Sequence, residues 1–510
     1  MRRLIAMLLL LCMLLPLGAC AGNGGTTPGG GGADDSDAGS ETVWQDILGE
    51  MDFGGEEVAV SVVDIHEYEL FGAENSEDTL DQLLFQRNTA LRDRFNVELV
   101  SVPTQTTGPY DMESHFNEVQ RALARNEADF DFIAMLAWQS GKLITSGYYL
   151  DWRSEVPYCG DSIKAGNAWW PKGINDDSTV CGHQYVAVSD ISISAIEMAW
   201  AIVFNKELVT DHNIARKMGN YDTMYAVVDD GAWTLEAMNT ALKDFYIDQG
   251  AEGEDEDDVY GMLMQGTTGV DAFAFSFGYH YVINDAVNAP ELWSVTLSVV
   301  TALETLRAFT ASRGCHYTYG LGYTDADHRT FFADGHALFA THPLEYLKSD
   351  TIHEMEAAYG VLPYPKLNTS QKSYLTGTVD HYSVLSIPFT NFDLERTGAV
   401  VEALSAYNNL NVNDRYYESI ITHKNTRDPD SVRMIDIIMD GRVYDLTTYH
   451  YNDLVVNKNH GDGALGLFFR YLVKNSHEDI SAYWQSCQNY LPDDMDRLIN
   501  DYESIAAMGQ

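Results

Sequence analysis

Val58-Ala59-Val60-Ser61-Val62-Val63 is a short run of β-branched and small residues, the composition of a strand covered on both faces. Leu80, Leu83, Leu84, Leu91 and Phe95 follow at spacings that share one helix face, and Val97, Leu99 and Val100 then mark a second strand. Met112, Phe116, Val119 and Leu123 give another amphipathic helix, and Phe130-Asp131-Phe132-Ile133-Ala134-Met135-Leu136 a third strand. The series is β-α-β-α-β. Short strands separated by helices pair in parallel through right-handed crossovers, and ligands of such sheets meet the loops at the carboxyl ends of the strands.

The same alternation continues downstream. Ile196 to Phe204 reads as a strand, Leu235 to Phe245 and Val295 to Phe309 as helices, and Ala337 to Ala340, Tyr359 to Leu362 and Val384 to Ile387 as further strands. From Phe392 onward the chain reads as mostly helical, and no internal repeat is evident. The wide interval between the first parallel unit and the later strands predicts two α/β lobes crossed by the chain more than once. The predicted division is 56–190 with 342–400 for lobe 1, and 191–341 with 401–510 for lobe 2.

Upstream, Arg2 and Arg3 precede an apolar run from Leu4 to Leu15 and then Leu17-Gly18-Ala19-Cys20. The run is shorter than the roughly 20 residues of a spanning helix. This pattern predicts a lipoprotein signal peptide over 1–19, with the Cys20 thiol receiving the lipid and tethering the chain to the outer face of the cell membrane. Residues 20–55, dominated by Gly, Asn, Thr, Pro, Asp and Ser, bury too little apolar surface to offset chain entropy and read as a flexible linker.

Seventy-six acidic against thirty-one basic residues give a net charge of −45, which opposes binding to nucleic acid or to an anionic bilayer. The cluster Glu252, Glu254, Asp255, Glu256, Asp257 and Asp258 lacks the Gly turn and spaced ligands of a calcium loop and reads as a solvated surface. Apart from Cys12 and Cys20, the cysteines are Cys159, Cys181, Cys315 and Cys487, with no C-x-x-C pair, so no zinc site is expected. Spacing leaves two readings of Cys159 and Cys181 open: a loop-closing disulfide or separate buried thiols.

Several short pieces, in order, resemble the extracellular solute-binding proteins of ABC importers, a group best known for carbohydrate and oligosaccharide binders. Phe204-Asn205-Lys206 is similar to the "F/Y-N-K" that enters the second lobe, Trp233-Thr234 to the helix start after it, and Tyr260-Gly261 to the "Y-G" before the next strand. Phe332, Gly335 and Ala337-Leu338-Phe339 resemble "F-x-x-G-x-A-M", Tyr359 to Pro365 resembles "Y-G-V-x-P-x-P", and Arg427-Asp428, Ser431 and Met434-Ile435-Asp436 resemble "R-D-x-x-S-x-x-M-L-D". Asp230-Gly231-Ala232 replaces the family's proline before the "T-W" helix start. The resemblance implies an α/β, type II periplasmic-binding-protein-like fold with two lobes, a hinge and an interlobe cleft. It also implies a monomer that captures an oligosaccharide and delivers it to a membrane permease, with no cofactor and no catalytic residue.

Sugar binders stack aromatic rings on the weakly apolar faces of sugars and use preorganised polar groups for the hydroxyls. On that chemistry the candidate ligand-binding residues are Trp138 just past the third strand, Asp190 near the expected hinge, Trp170 on a polar loop beside Trp169, Phe273 and Phe277, His342 at a strand end, and Tyr374 before a Gly-containing turn. Trp233, at a helix start, reads as structural. His336 and His342 stand six positions apart without a completing carboxylate, so no metal is expected. His353-Glu354-Met355-Glu356-Ala357 stops short of H-E-x-x-H, and no G-x-S-x-G is present. Gly461-Asp462-Gly463-Ala464-Leu465-Gly466 matches G-x-G-x-x-G but follows no strand. The competing reading is an extracellular glycan hydrolase built on paired carboxylates.

Overall fold

A computed structural model describes residues 48–106, 113–250, 257–318, 324–421, 429–455 and 463–508. The signal peptide, Cys20, most of the linker, Glu252 to Glu256, Arg427-Asp428 and Gly461-Asp462 lie outside the described residues. The opening β-α-β-α-β series is β1 (Glu56–Val63), α1 (Thr79–Phe95), β2 (Val97–Thr104), α2 (Glu113–Arg125) and β3 (Phe132–Leu136). β1 pairs in parallel with both β2 and β3, with Val58 opposite Leu99 and Val60 opposite Phe132. Asp78 caps α1, accepting from the Asp81 amide at 3.1 Å, and Asn96 ends it in the left-handed conformation (φ 50°). Leu80, Leu83, Leu84, Leu91 and Phe95 are all buried, as the helical spacing requires.

The chain then crosses to a second sheet formed by β4 (Trp200–Asn205), β5 (Tyr246–Ile247), β6 (Val259–Met264), β7 (Cys315–Tyr317), β8 (Ala337–Pro343) and β9 (Tyr359–Leu362). Its order is β9-β4-β8-β6-β5, with β7 also on β6; β8 is parallel to β6 and antiparallel to β4. Finally β10 (Ser383–Ser386) returns to the first sheet beside β3, antiparallel, in the order β10-β3-β1-β2.

The interval 342–400, expected whole in lobe 1, is therefore divided: β9 joins the second sheet, with Val361 opposite Val203, while β10 joins the first. Helix α7 (Leu394–Tyr407), preceded by α3 (Leu235–Leu242), α4 (Thr268–Ser276), α5 (Leu297–Thr310) and α6 (Asp325–Ala333), packs against α1 and β1, so lobe 1 reaches past residue 400. An apolar run reveals that a strand is buried. It does not reveal which sheet takes it, because pairing is non-local.

The crossing segments pair with one another. The Trp200 amide donates to Gly377 O at 3.0 Å and the Val379 amide to Met198 O at 2.8 Å, while Thr376 exchanges backbone bonds with Gly441 and Val443. A Cβ on Gly377 would stand 2.8 Å from the Phe275 ring, so this crossing segment needs glycine to pass. Beside them Glu69, just past β1, accepts from Ser194 Oγ (2.9 Å) and Ser383 Oγ (2.7 Å) and contacts His66 Nδ1 at 2.6 Å. Cys159, Cys181, Cys315 and Cys487 are not joined in disulfides, and Cys159 donates to Gly398 O. Among the described residues no helix is long and apolar enough to cross a membrane.

Candidate functional site

A cleft of about 1110 Å³ lies between the two sheets, at the ends of the strands. Lobe 1 contributes the turn after β1, with His66 and Tyr68, and Trp138 just past β3. Lobe 2 contributes Gln265 to Thr268 after β6, Thr341 and His342 at the end of β8, and His328 and Arg329 from α6. Glu197, Met198, Trp200 and Val379 of the crossing segments form the floor. In parallel pairs such as β1 with β3 and β6 with β8, this is the carboxyl end of the strands, where the loops are free to carry function.

A small recess of about 40 Å³ opens beside it and shares Trp200, Asp380, Tyr451 and Arg470 with the main cleft. Its wall includes one stripe of α4, Thr268, Asp271, Ala272 and Phe275, spaced as one helix face. Asp271 is buried and paired with Arg470, whose Nε donates to Oδ2 at 2.9 Å. Burial pushes the Asp271 carboxyl up to about 6 against the pull of Arg470.

Two of the seven candidate residues line the cleft. Trp138 stands edge-on to His381 (6.5 Å) and Tyr451 (6.1 Å). His342 is stacked on Tyr346 at 3.9 Å with His328 against its edge at 4.6 Å. Burial holds both imidazoles neutral, pushing His328 down to about 3 and His342 well below its ordinary value. Trp138 Nε1, His328 Nε2 and His342 Nε2 are buried without a hydrogen-bond partner among the described residues.

The other five lie elsewhere. Trp170 is 1% exposed, and its indole donates to one Glu402 oxygen at 2.8 Å while Trp169 donates to the other at 2.8 Å. The polar loop that carries the pair folds inward because one buried carboxylate satisfies both indoles. Asp190 takes a hydrogen bond from Asn409 Nδ2 at 2.6 Å, and its carbonyl is held by Asn408 and Asn413. It fastens the lobe 1 loop to the chain after α7. Phe273 on α4 and Phe277 just past its end are buried away from the recess, with Phe273 edge-on to Tyr364 at 4.8 Å. Phe275, between them in sequence, is the ring of this helix that reaches the recess. Tyr374 is buried with its hydroxyl donating to Val228 O at 3.1 Å. Trp233 is buried, its indole donating to Pro363 O at 2.8 Å.

Sequence reasoning missed a four-part junction at one end of the cleft. Glu197, 1% exposed, accepts from Tyr68 Oη (2.5 Å), from Lys348 Nζ (2.6 Å) and from Tyr416 Oη. Lys348 stands over the Tyr68 and Tyr416 rings at 5.2 and 5.5 Å, which joins lobe 1, a crossing segment and lobe 2. Asp271, Arg470 and Glu402 were missed as well. Each had a visible signal: a single charge inside an apolar helical run, as in Val270-Asp271-Ala272-Phe273, Phe468-Phe469-Arg470-Tyr471-Leu472 and Val400-Val401-Glu402-Ala403-Leu404. Among the described residues no group of three or more His, Cys, Asp or Glu is placed to hold a metal ion.

No protein-family model matches this sequence, and no curated protein matches it. Among solved structures the chain is similar to the apo form of RafE from Streptococcus pneumoniae, at 12% identity and TM-score 0.51 over 86% of this chain and 98% of that one. It is similar to a cyclo/maltodextrin-binding protein complexed with maltotetraose, at 10% identity and TM-score 0.51 over 87% and 96%. An uncharacterized protein from Listeria monocytogenes aligns at 11% identity and TM-score 0.54 over 87% and 99%. At these identities the likeness is one of fold: two mixed α/β lobes about an interlobe cleft, the type II periplasmic-binding-protein fold.

Proposed function

We propose that this chain is the solute-capturing component of an ABC importer, tethered outside the cell membrane through Cys20, and that its solute is an oligosaccharide. The observation that carries the reading is the cleft itself. A space of about 1110 Å³ suits a ligand of several sugar rings, and its wall combines aromatic rings (Tyr68, Trp138, Tyr451) with uncharged polar side chains (Gln265, Thr267, Thr268). The maltotetraose complex of a protein with the same fold supports the ligand class.

In this reading the solute enters an open form, rings and hydroxyls from both lobes engage it, and the crossing segments bend so that the lobes close. Binding energy shifts an open–closed equilibrium, and the closed form docks on the permease. No residue is assigned a catalytic role. The linker lets a tethered receptor reach its permease.

A thermal-shift screen against neutral oligosaccharides, peptides and polyamines tests this. A bound oligosaccharide at one hundred times its Kd stabilises the fold by about 2.7 kcal/mol, which shows as a clear rise in Tm. Stabilisation by peptides alone would sink the sugar reading.

A further inference from the structure

We propose that the cleft selects an uncharged polyhydroxylated ligand and rejects acidic ones, because each cation on its described wall is already engaged by a carboxylate of the protein. The proposal rests on the reading of the cleft as a ligand site. Three Lys or Arg residues line it among the described residues: Arg329, Lys348 and Arg470. Arg329 makes a two-pronged pair with Glu345 (3.3 and 2.5 Å) and lies over the Tyr346 ring at 5.6 Å. Lys348 donates to buried Glu197, and Arg470 grips Asp271.

A uronate or phosphate entering this cleft must displace one of those carboxylates, and forked guanidinium–carboxylate bonds are among the stronger hydrogen bonds in proteins. Displacement then leaves a protein carboxylate unpaired on a partly buried wall. With Asp271 of the adjoining recess, Asp380 brings the carboxylates to four against three cations, and a net charge of −45 repels anions at longer range. Of the four imidazoles on this wall, burial keeps His328 and His342 neutral, while His66 and His381 already face Glu69 (2.6 Å) and Asp380 (3.8 Å).

A cationic amine is drawn by the long-range charge but finds only one carboxylate on this wall that is not already paired with Arg or Lys. Asp380, the carboxylate on this wall without a hydrogen-bonded Arg or Lys, already feels the positive charge of Arg470 and stands 3.8 Å from His381. Uncharged hydroxyls need break none of these pairs. The three ion pairs act as a filter on ligand charge.

The test is isothermal titration of the protein with tetrasaccharides matched in length: maltotetraose and cellotetraose, tetragalacturonate, and tetraglucosamine. The expected result is binding of a neutral tetrasaccharide with the acidic one at least thirtyfold weaker. Glu345→Gln releases Arg329 and should lower the ratio of acidic to neutral Kd at least tenfold, an effect that fades at high salt. Glu345→Asp keeps the pair's charge and should leave that ratio near its wild-type value, which separates charge release from general damage to the wall. Acidic binding as tight as neutral, tightest binding of tetraglucosamine, or a Glu345→Gln ratio that does not move would each overturn the filter while leaving the sugar reading intact. If no tetrasaccharide binds, the oligosaccharide reading falls and this proposal with it.

Discussion

Trp170 and Trp138 sit in the same lobe and look alike in the sequence, yet they are held in opposite ways. Trp170 has a partner for its only polar atom in Glu402, packs on Trp152 at 5.6 Å and is sealed. Trp138 has no partner for Nε1, is only partly buried, and meets its aromatic neighbours His381 and Tyr451 edge-on at the cleft wall. The difference teaches that residue type does not distinguish a binding aromatic from a core one. What separates them is whether the protein itself has satisfied the side chain.

Substitution turns this contrast into numbers. Trp170→Ala removes a fully buried indole and leaves one Glu402 oxygen facing a void, so unfolding free energy should drop by about 3–5 kcal/mol in chemical denaturation. Whatever protein remains folded should keep its ligand preference. Trp138→Ala should do the reverse. Tm without ligand should move by only a few degrees, while affinity for the bound oligosaccharide falls about tenfold to a hundredfold, or ~1.4–2.8 kcal/mol, in titration calorimetry. A Trp138 variant that unfolds like the Trp170 one, with unchanged affinity, would erase the distinction.

The parallel unit of lobe 1 was legible from Val58 to Leu136 because apolar spacing reports local burial, and both helices fall where their faces predicted. β9 was equally visible as a strand, but nothing local in Tyr359 to Leu362 says that β4 will take it. The site was legible only where it follows directly from strand ends, as at Trp138 and His342. Phe273 and Phe277 show the limit: a helix with Phe at 273, 275 and 277 has apolar residues on every side, so its phase cannot be read without knowing what packs against it. The buried pairs Glu402 with the two indoles and Asp271 with Arg470 join residues far apart in sequence, and only their odd placement in apolar runs hinted at them.

Asp190 sharpens the comparison at its weakest point, since a carboxylate near the crossing segments belongs by chemistry to either region. Burial pushes its carboxyl up to about 6, opposed by the hydrogen bond from Asn409 and the charge of Arg442. Because the folded state holds this proton more tightly than an unfolded chain with a pKa near 3.9, its contribution to stability is fully present below about pH 4 and is lost as pH rises through about 6. The full span corresponds to roughly 2–3 kcal/mol, and partial exposure to solvent reduces it to about 1 kcal/mol. Asp190→Asn should therefore flatten the fall in stability between pH 4 and 6 by about that amount, measured as denaturation midpoints across the range. Ligand affinity should stay put, because Asp190 faces Asn409 and not the cleft. A loss of affinity with an unchanged pH profile would move Asp190 from the interior set to the binding set and show that the crossing segments read the ligand directly.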